Sequence, residues 1–89
     1  MKKLCYKLIQ KYTITGKKDF QQNPKRVGLL IQNLSTDTIY FMAYQQTDTN
    51  NSIEIDGDPY SDEVGASAAF TLNTSGSSSE IRIEETIEV

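Results

Sequence analysis

Apolar and polar residues alternate along most of this chain, and short polar segments interrupt the alternation. Apolar side chains at every second position are typical of a β-strand that buries one face. The interruptions are rich in glycine, proline, asparagine, aspartate and serine, which favour turns. The strands predicted in this way cover residues 4–14, 26–33, 38–45, 53–55, 66–72 and 80–89. Apolar residues nowhere recur at helical spacing for more than one turn, so the pattern predicts an all-β protein.

The most apolar stretch is residues 23–44, which holds two predicted strands around a polar turn at 34–37. We expect these two strands to pair as a β-hairpin. On the first strand, the predicted core row is Val27, Leu29 and Ile31. On the second strand both faces are apolar, because Ile39, Phe41 and Ala43 alternate with Tyr40, Met42 and Tyr44. A strand with two apolar faces is typical of a sheet centre or a subunit contact.

The first and last predicted strands complete the expected core. On the first strand, the predicted inner face carries Leu4, Tyr6, Leu8, Tyr12 and Ile14. Lysines occupy its other face, which suits an edge strand. On the last strand, the predicted inner residues are Ile81, Ile83, Ile87 and Val89. Glu85 interrupts that row, and we expect a β-bulge there. Residues 15–19 and 60–63 are predicted turn and loop.

These elements predict a single small antiparallel β-sandwich or jelly-roll-like barrel of six to seven strands. We expect one β-domain over residues 1–89, with 1–22 a basic N-terminal strand or arm and 23–89 the core sandwich. A chain of this length buries only about 60–65% of the surface that its unfolded form exposes. Its core is therefore modest, and small domains of this kind often gain stability from a partner.

Charge is divided unevenly along the chain. Residues 1–26 carry a net charge of +7 and residues 27–89 carry −10, which gives the overall −3. This asymmetry favours head-to-tail contact between copies, or an N-terminal arm lying on an acidic partner. A basic edge strand kept soluble by its lysines explains the same pattern, and the sequence leaves both interpretations open.

The composition offers little catalytic chemistry. The chain has no histidine and one cysteine, Cys5, so it lacks the commonest general base and cannot form an intrachain disulfide. No spacing singles out a carboxylate pair, and we expect a protein that is not an enzyme and uses no cofactor. An acidic loop leaves open whether an ion binds, although its glycine and last carboxylate depart from the calcium-loop pattern. The acids of that loop are Asp56, Asp58, Asp62 and Glu63.

Two classes of partner are not expected. The N-terminal lysines and tyrosines fall on opposite strand faces, and the rest of the chain is acidic, so a nucleic-acid surface is not predicted. No apolar run approaches the roughly 18 residues that span a bilayer, and Lys7, Gln10 and Lys11 interrupt the only stretch like a secretory signal.

One segment resembles a known family. Asn23 and Pro24, one further residue, and then Arg26 and Val27 precede an apolar strand that ends in Ile31, Gln32 and Asn33. A polar turn and the strand at 38–41 follow, and later come a strand at 69–72, a serine-rich turn at 75–79 and a strand at 81–83. Over about residues 12–87 this order is similar to small virion proteins of tailed phages, of the capsid decoration (cement) or head-fibre type. The middle of the chain departs from their pattern at 52–58, where those proteins often have a glycine- and proline-containing turn.

The resemblance implies a non-enzymatic β-sandwich on the phage head that bridges capsid subunits. Its implied partners are the major capsid protein or other virion proteins, and further copies of itself, with a trimer as one option. It implies a location on the capsid surface after assembly in the host cytoplasm. The residues that we expect to contact partners are Lys2, Lys3, Lys7, Lys11, Lys25, Arg26, Tyr40, Met42 and Tyr44. Two alternatives are a receptor- or glycan-binding module of a head fibre or tail, with recognition by the loop at 45–52, and a non-viral cytoplasmic interaction module.

Overall fold

The computed structural model describes residues 4–89, which form eight strands in two four-stranded antiparallel sheets. The strands are β1 (Cys5–Ile14), β2 (Lys17–Phe20), β3 (Arg26–Asn33), β4 (Ile39–Ala43), β5 (Ile53–Ile55), β6 (Tyr60–Asp62), β7 (Phe70–Thr74) and β8 (Ser79–Glu88). The first sheet has the order β1-β8-β3-β6 and the second has the order β2-β7-β4-β5. Between residues 4 and 89 the only helical element is a single 3-10 turn at Thr49–Asn51. The all-β prediction is confirmed.

The strand count is eight rather than six or seven, because two polar segments form strands that the pattern did not indicate. β2 lies within the predicted turn at 15–19 and β6 within the predicted loop at 60–63. Each of them pairs with a more apolar strand. β2 pairs with β7, where Phe20 lies opposite Phe70, and β6 pairs with β3, where Tyr60 lies opposite Ile31. The predicted strand at 66–72 is also displaced, since β7 runs over Phe70–Thr74.

The predicted hairpin between β3 and β4 is wrong, because the two strands lie in different sheets. The side chain of Asn33, at the end of β3, holds the crossing. Its amide nitrogen donates to the carbonyl oxygens of Asp37 at 2.6 Å and of Ile55 at 2.9 Å. Its amide oxygen accepts from the backbone and the hydroxyl of Ser35. These bonds bend the chain after β3 and tie it to β5 of the second sheet.

The core lies between the sheets, and both contribute to it. The first sheet supplies Ile14, Leu29, Ile31, Ile81 and Ile83, and the second supplies Ile39, Ile55, Phe70 and Leu72. Burial of the predicted residues Ile81, Ile83 and Ile87 is confirmed, whereas Val89 is 75% exposed and Ile53, whose side chain we expected to point inward, is 49% exposed.

The bulge predicted at Glu85 lies instead in β3. The pairing of β8 with β1 continues without interruption through Glu85, while the pairing of β8 with β3 shifts between Arg26 and Gly28. The extra residue, Val27, is therefore turned outward and is 37% exposed. Arg26 takes the place in the inner row that the alternation had assigned to an apolar residue.

A row of aromatic rings crosses the space between the sheets. It runs Tyr12, Phe20, Phe70, Phe41 and Tyr60, with ring centroids 4.6–5.2 Å apart. Its two end members belong to β1 and β6, the outer strands of the first sheet, and its middle members belong to the second sheet. Aromatic pairs of this kind contribute about 0.5–1.5 kcal/mol each beyond simple burial, so the row fastens both edges of one sheet to the other sheet.

Candidate interaction surfaces

β1 is the longest exposed edge of the molecule. It is an outer strand of the first sheet and pairs with β8 in one unbroken register, from Cys5 opposite Glu88 to Ile14 opposite Ser79. The expected edge position of this strand is confirmed. The other side of an edge strand presents backbone N–H and C=O groups that can pair with another chain. A ten-residue edge without a bulge is long for such a strand, and natural sheets usually protect one of this length.

The two ends of β1 differ in burial although their inner-face residues alternate as predicted. Ile14 is fully buried and Tyr12 is half-buried in the aromatic row. Leu8 and Tyr6, on the same face, are 40% and 52% exposed. Beyond them Leu4 is 74% exposed, and the predicted burial of these three residues is wrong. The first part of β1 therefore extends past the core and presents apolar side chains to solvent.

Lysines follow this uncovered part of β1. Lys7 and Lys11 are exposed, and the ammonium group of Lys7 donates to the hydroxyl of Thr86 at 2.9 Å. Ile9, between them, is 58% exposed. Lys25 is also exposed, in the turn before β3, whereas Lys2 and Lys3 lie outside the described residues. We call the free edge of β1, together with its exposed side chains from both faces, the basic edge. Its residues are Leu4, Tyr6, Lys7, Leu8, Ile9 and Lys11.

Arg26 is buried within the chain, where its side chain is only 5% exposed. The guanidinium pairs with the carboxylate of Glu85 at 3.1 Å and lies over the ring of Phe70, 5.4 Å from its centroid. It also donates to the carbonyl oxygens of Ala66 and Ala68. The planar fork of arginine can satisfy several acceptors at once, which a lysine could not do in the same place. Arg26, which we expected among the partner contacts, thus has its contacts within the chain, where it holds the 66–68 loop against β3 and β8.

The Arg26–Glu85 pair explains two departures from alternation that lie on different strands. Glu85 interrupts the apolar row of β8, and Arg26 precedes the bulge in β3. Across strands, Leu29 lies opposite Glu85 and Arg26 lies opposite Ile87, so the two charged side chains share the inner face. In the sequence, the only indication of this pair was that Arg26 and Glu85 each interrupt an otherwise apolar row. The partnership itself depended on the strand order, which alternation does not supply.

The second predicted partner surface is not continuous. Met42, which we expected to contact a partner, is 1% exposed, so its side chain lies in the interior of this chain and not at its surface. Tyr40 is half-buried, and Tyr44 is 38% exposed with its hydroxyl accepting from the side chain of Gln21 at 2.9 Å. The second apolar face of β4 is thus largely covered by the chain itself.

The opposite edge of the first sheet is acidic. β6 is the outer strand at this edge. In sequence, Asp58 precedes β6, and Glu63 and the fully exposed Val64 follow it. Asp62 shapes the following turn by accepting from the backbone N–H of Gly65 at 2.9 Å, and it also accepts from the hydroxyl of Tyr60 at 3.1 Å. Burial raises the pKa of Tyr60, and the hydrogen bond to Asp62 raises it further. We call Asp58, Asp62, Glu63 and Val64 with β6 the acidic edge.

A depression of about 140 Å³ crosses the outer face of the first sheet between the two edges. Gly28 lies within it, and the absence of a side chain there leaves space against Thr86, whose hydroxyl would be 3.0 Å from an added Cβ. Its polar lining comes from Lys7, Ser61, Asp62, Glu63, Glu84 and Thr86. Hydroxyls and charges of both signs line it, and no aromatic ring does.

The remaining sequence candidates do not form a site for an ion. Within residues 4–89, no three histidine, cysteine or carboxylate side chains converge as metal ligands would. Asp56 instead accepts from the hydroxyl of Thr38 at 2.7 Å. Cys5 is an exposed free thiol. The loop at 45–52 is occupied by its own turn, where Asp48 caps the short helix by accepting from the backbone of Asn50. Nor does any helix in the described part of the chain have the length and apolarity needed to cross a bilayer.

Comparisons of this chain with known protein families, with curated proteins and with solved structures found no match. Function must therefore be argued from the surfaces themselves and from the resemblance of residues 12–87.

Proposed function

We propose that this protein is a non-enzymatic structural component of a phage virion, a capsid decoration protein that bridges subunits of the head. The observation that carries the proposal is the basic edge. A long, unbroken edge strand with exposed leucine, tyrosine and isoleucine side chains is a surface for another protein, because a partner strand can pair with its backbone groups and remove its apolar area from water.

We further infer a jelly-roll arrangement of the two sheets. The strand order supports this, since every neighbouring pair except β4–β5 is distant in sequence, and the first and last strands, β1 and β8, are adjacent. Two interleaved four-stranded sheets of this kind occur in viral capsid and lectin domains. The fold agrees with the proposed class but does not by itself specify a function.

The motif behind the phage resemblance is structural in this chain. Arg26 closes one end of β3 over Phe70, and Asn33 holds the other end where the chain crosses to the second sheet. A shared motif of this kind supports a shared fold, in which both ends of one central strand are held. The contact surfaces of such a protein would then lie elsewhere, as the basic edge does here.

In the proposed role, many copies lie across the joints between major capsid proteins and add contact area at each joint. The exposed lysines Lys7 and Lys11, with Lys2 and Lys3 before them, would favour approach to acidic protein surfaces. Assembly would take place in the host cytoplasm and leave the protein on the outer capsid surface.

Electron microscopy of purified particles tests the proposal. We expect ordered density for this chain over the whole shell. Density confined to the tail would support the adhesion alternative, and absence of the chain from particles would rule out both. As a matched pair, Lys11→Glu should reduce the amount bound to particles, while Lys17→Glu on β2, an exposed lysine whose replacement changes the charge equally, should not.

The receptor- or glycan-binding alternative is favoured by one observation, the depression on the outer face of the first sheet. Its hydroxyls and carboxylates could bind the hydroxyl groups of a sugar. In an NMR titration with capsular or cell-wall sugars, this alternative requires shifts centred on Ser61 and Thr86. Shifts confined to the loop at 45–52 would move recognition to that loop.

A further inference from the structure

We propose that the basic edge of one copy pairs with the acidic edge of a second copy, so that the first sheet continues head to tail from β6 of one chain into β1 of the next. This deepens the proposed function by assigning the edge of β1 to a contact between copies, so that copies lying over the capsid joints are linked to one another, and it rests on that function only for its setting in the virion.

Strand direction permits this contact without turning the second copy over. The four strands of the first sheet are all antiparallel to their neighbours, so β1 and β6, at opposite ends, run in opposite directions. A second copy placed beside β6 in the same orientation therefore presents β1 antiparallel to it. Antiparallel addition of a strand to a free edge is a common mode of protein recognition.

The register of the sheet indicates which residues would meet. One row of opposing residues runs Ser61, Leu30, Glu84 and Ile9. If β1 of the second copy extends this row, Ser61 of the first copy lies opposite Ile9 of the second. Because the two strands are antiparallel, each residue after Ser61 then lies opposite the corresponding residue before Ile9. Two positions further along, Glu63 meets Lys7, which lies on the same outer face as Ile9.

The same register brings the exposed apolar residues together. Asp62 lies in the row of Leu8, so the turn after β6 extends toward the level of Tyr6. That turn carries Val64, which is 100% exposed. The exposed apolar part of β1 thus lies at the same end of the sheet as the exposed Val64 after β6. Contact between Val64 and Tyr6 would remove apolar surface from water in both copies.

Charge selects this contact over pairing between two β1 strands. The basic edge carries Lys7 and Lys11, and the acidic edge carries Asp58, Asp62 and Glu63. Two β1 strands side by side would place lysines of both copies on one face, and like charges across strands destabilise a pair. Opposite charges on the two edges instead attract the copies and set their orientation.

The contact is heterologous, so a fixed rotation between copies produces a closed ring or an open chain. β6 has three residues, and its edge can form only a few backbone hydrogen bonds with the neighbour. We therefore expect weak association that grows with protein concentration and decreases as salt screens the charged pairs.

Disulfide trapping tests the arrangement directly. In a Cys5→Ser background, one chain carries Lys7→Cys and another carries Glu63→Cys, and the two purified chains are mixed under mild oxidation. We expect the mixed dimer to form in excess over either homodimer, because paired cysteines need Cβ atoms within about 4.5 Å. The matched control replaces Lys7→Cys with Lys17→Cys, an exposed lysine on β2 of the other sheet, and should give no excess. Predominant Lys7→Cys homodimers would overturn the proposal in favour of β1–β1 pairing.

Sedimentation velocity gives a second measurement that needs no cross-link. The unmodified chain should associate at low salt as its concentration rises, and Glu63→Lys should weaken that association by roughly three- to tenfold, because it replaces an attractive exposed pair with a repulsive one. A chain carrying both Lys7→Glu and Glu63→Lys should recover it, because the charges are exchanged between edges. A monomer at every concentration and salt, or no recovery in the double variant, would overturn the inference. These measurements use purified protein, so their failure leaves virion attachment to be judged by microscopy, and absence from particles leaves self-association standing.

Discussion

Arg26 and Lys7 are both basic residues on strands of the first sheet, and both were predicted to contact partners. Arg26 is almost fully buried, where a carboxylate and backbone carbonyls surround its guanidinium. Lys7 is exposed and has one hydroxyl as its hydrogen-bond partner. The two positions differ in the hydrogen-bond acceptors around them. Glu85 and the 66–68 loop both contact Arg26 on the inner face of the sheet, whereas Lys7 faces solvent.

The comparison shows how the fold separates structural charge from surface charge. A charge can be buried when its hydrogen bonds are all supplied, and without such partners it must remain in water. Among residues 4–89 no buried side-chain nitrogen or oxygen is left without a hydrogen bond, so each buried nitrogen of Arg26 has a partner. The basic edge has charge and apolar area that the chain itself does not cover, and this is where partners are expected.

The largest expected effect comes from breaking the buried pair. Arg26→Ala should reduce the free energy of unfolding by about 3–5 kcal/mol, because Glu85 would remain buried without its partner. Lys25→Ala, at the exposed neighbour, should change it by less than about 0.5 kcal/mol. Urea unfolding of the two variants measures both values. Equal, small effects would mean that the Arg26 site is no more structural than the surface.

A smaller difference should separate the two ends of β1. Ile14→Ala removes a fully buried side chain and should cost about 2–5 kcal/mol of stability. Leu8→Ala, on the same face but 40% exposed, should cost less than about 1 kcal/mol. Thermal unfolding in dilute solution would rank them. If Leu8→Ala cost as much as Ile14→Ala, the uncovered part of β1 would already be covered, in the purified protein, by a second chain.

Alkaline pH should weaken the closure at both edges of the first sheet. Burial raises the pKa of Tyr12, as does the negative charge of Glu85 against a smaller opposing effect of Arg26, and the pKa of Tyr60 is also raised. The folded protein then keeps protons that the unfolded chain releases. The contribution of these two tyrosines to stability should be constant below the ordinary tyrosine pKa of about 10 and be lost as pH rises through the higher folded values.

The variants Tyr12→Phe and Tyr60→Phe check this assignment. Each removes one titrating hydroxyl, so the loss of stability above about pH 10 should be smaller in each variant than in the parent chain. Urea midpoints from neutral to alkaline pH measure the slope. An unchanged slope in both variants would assign the alkaline loss to other groups.

The smallest predicted effect concerns a lysine outside the basic edge. The ammonium group of Lys18 lies 5.7 Å from the ring centroid of Tyr12 and 5.6 Å from that of Phe20. Lys18→Met keeps the length of the side chain and removes the cation, and should cost about 0.5–1 kcal/mol. Lys17→Met, at an exposed neighbour whose ammonium group lies over no aromatic ring of residues 4–89, provides the control in the same unfolding assay.

Local pattern was sufficient for most of the β structure. Alternation over 26–33 and 80–89 predicted β3 and β8 closely, because both strands bury one face along their length. The strong turn residues placed the breaks between strands. Alternation could not reveal β2 or β6, whose polar residues form strands only because β7 and β3 provide pairing partners. It also could not show that β3 and β4 would separate, since that outcome depends on Asn33 reaching a carbonyl 22 residues away.

The candidate surfaces divide in the same way. Strand periodicity and charge are local properties of the residues, and they were enough to predict an all-β chain with a basic beginning and an acidic remainder. The burial of Arg26 and Met42, and the position of the β1 lysines beside exposed leucine, tyrosine and isoleucine, became visible only in the assembled sheets. Those results depend on which strands become neighbours and on how far each sheet extends over the other. The alternation within a single strand determines neither the strand order nor the overlap of the sheets.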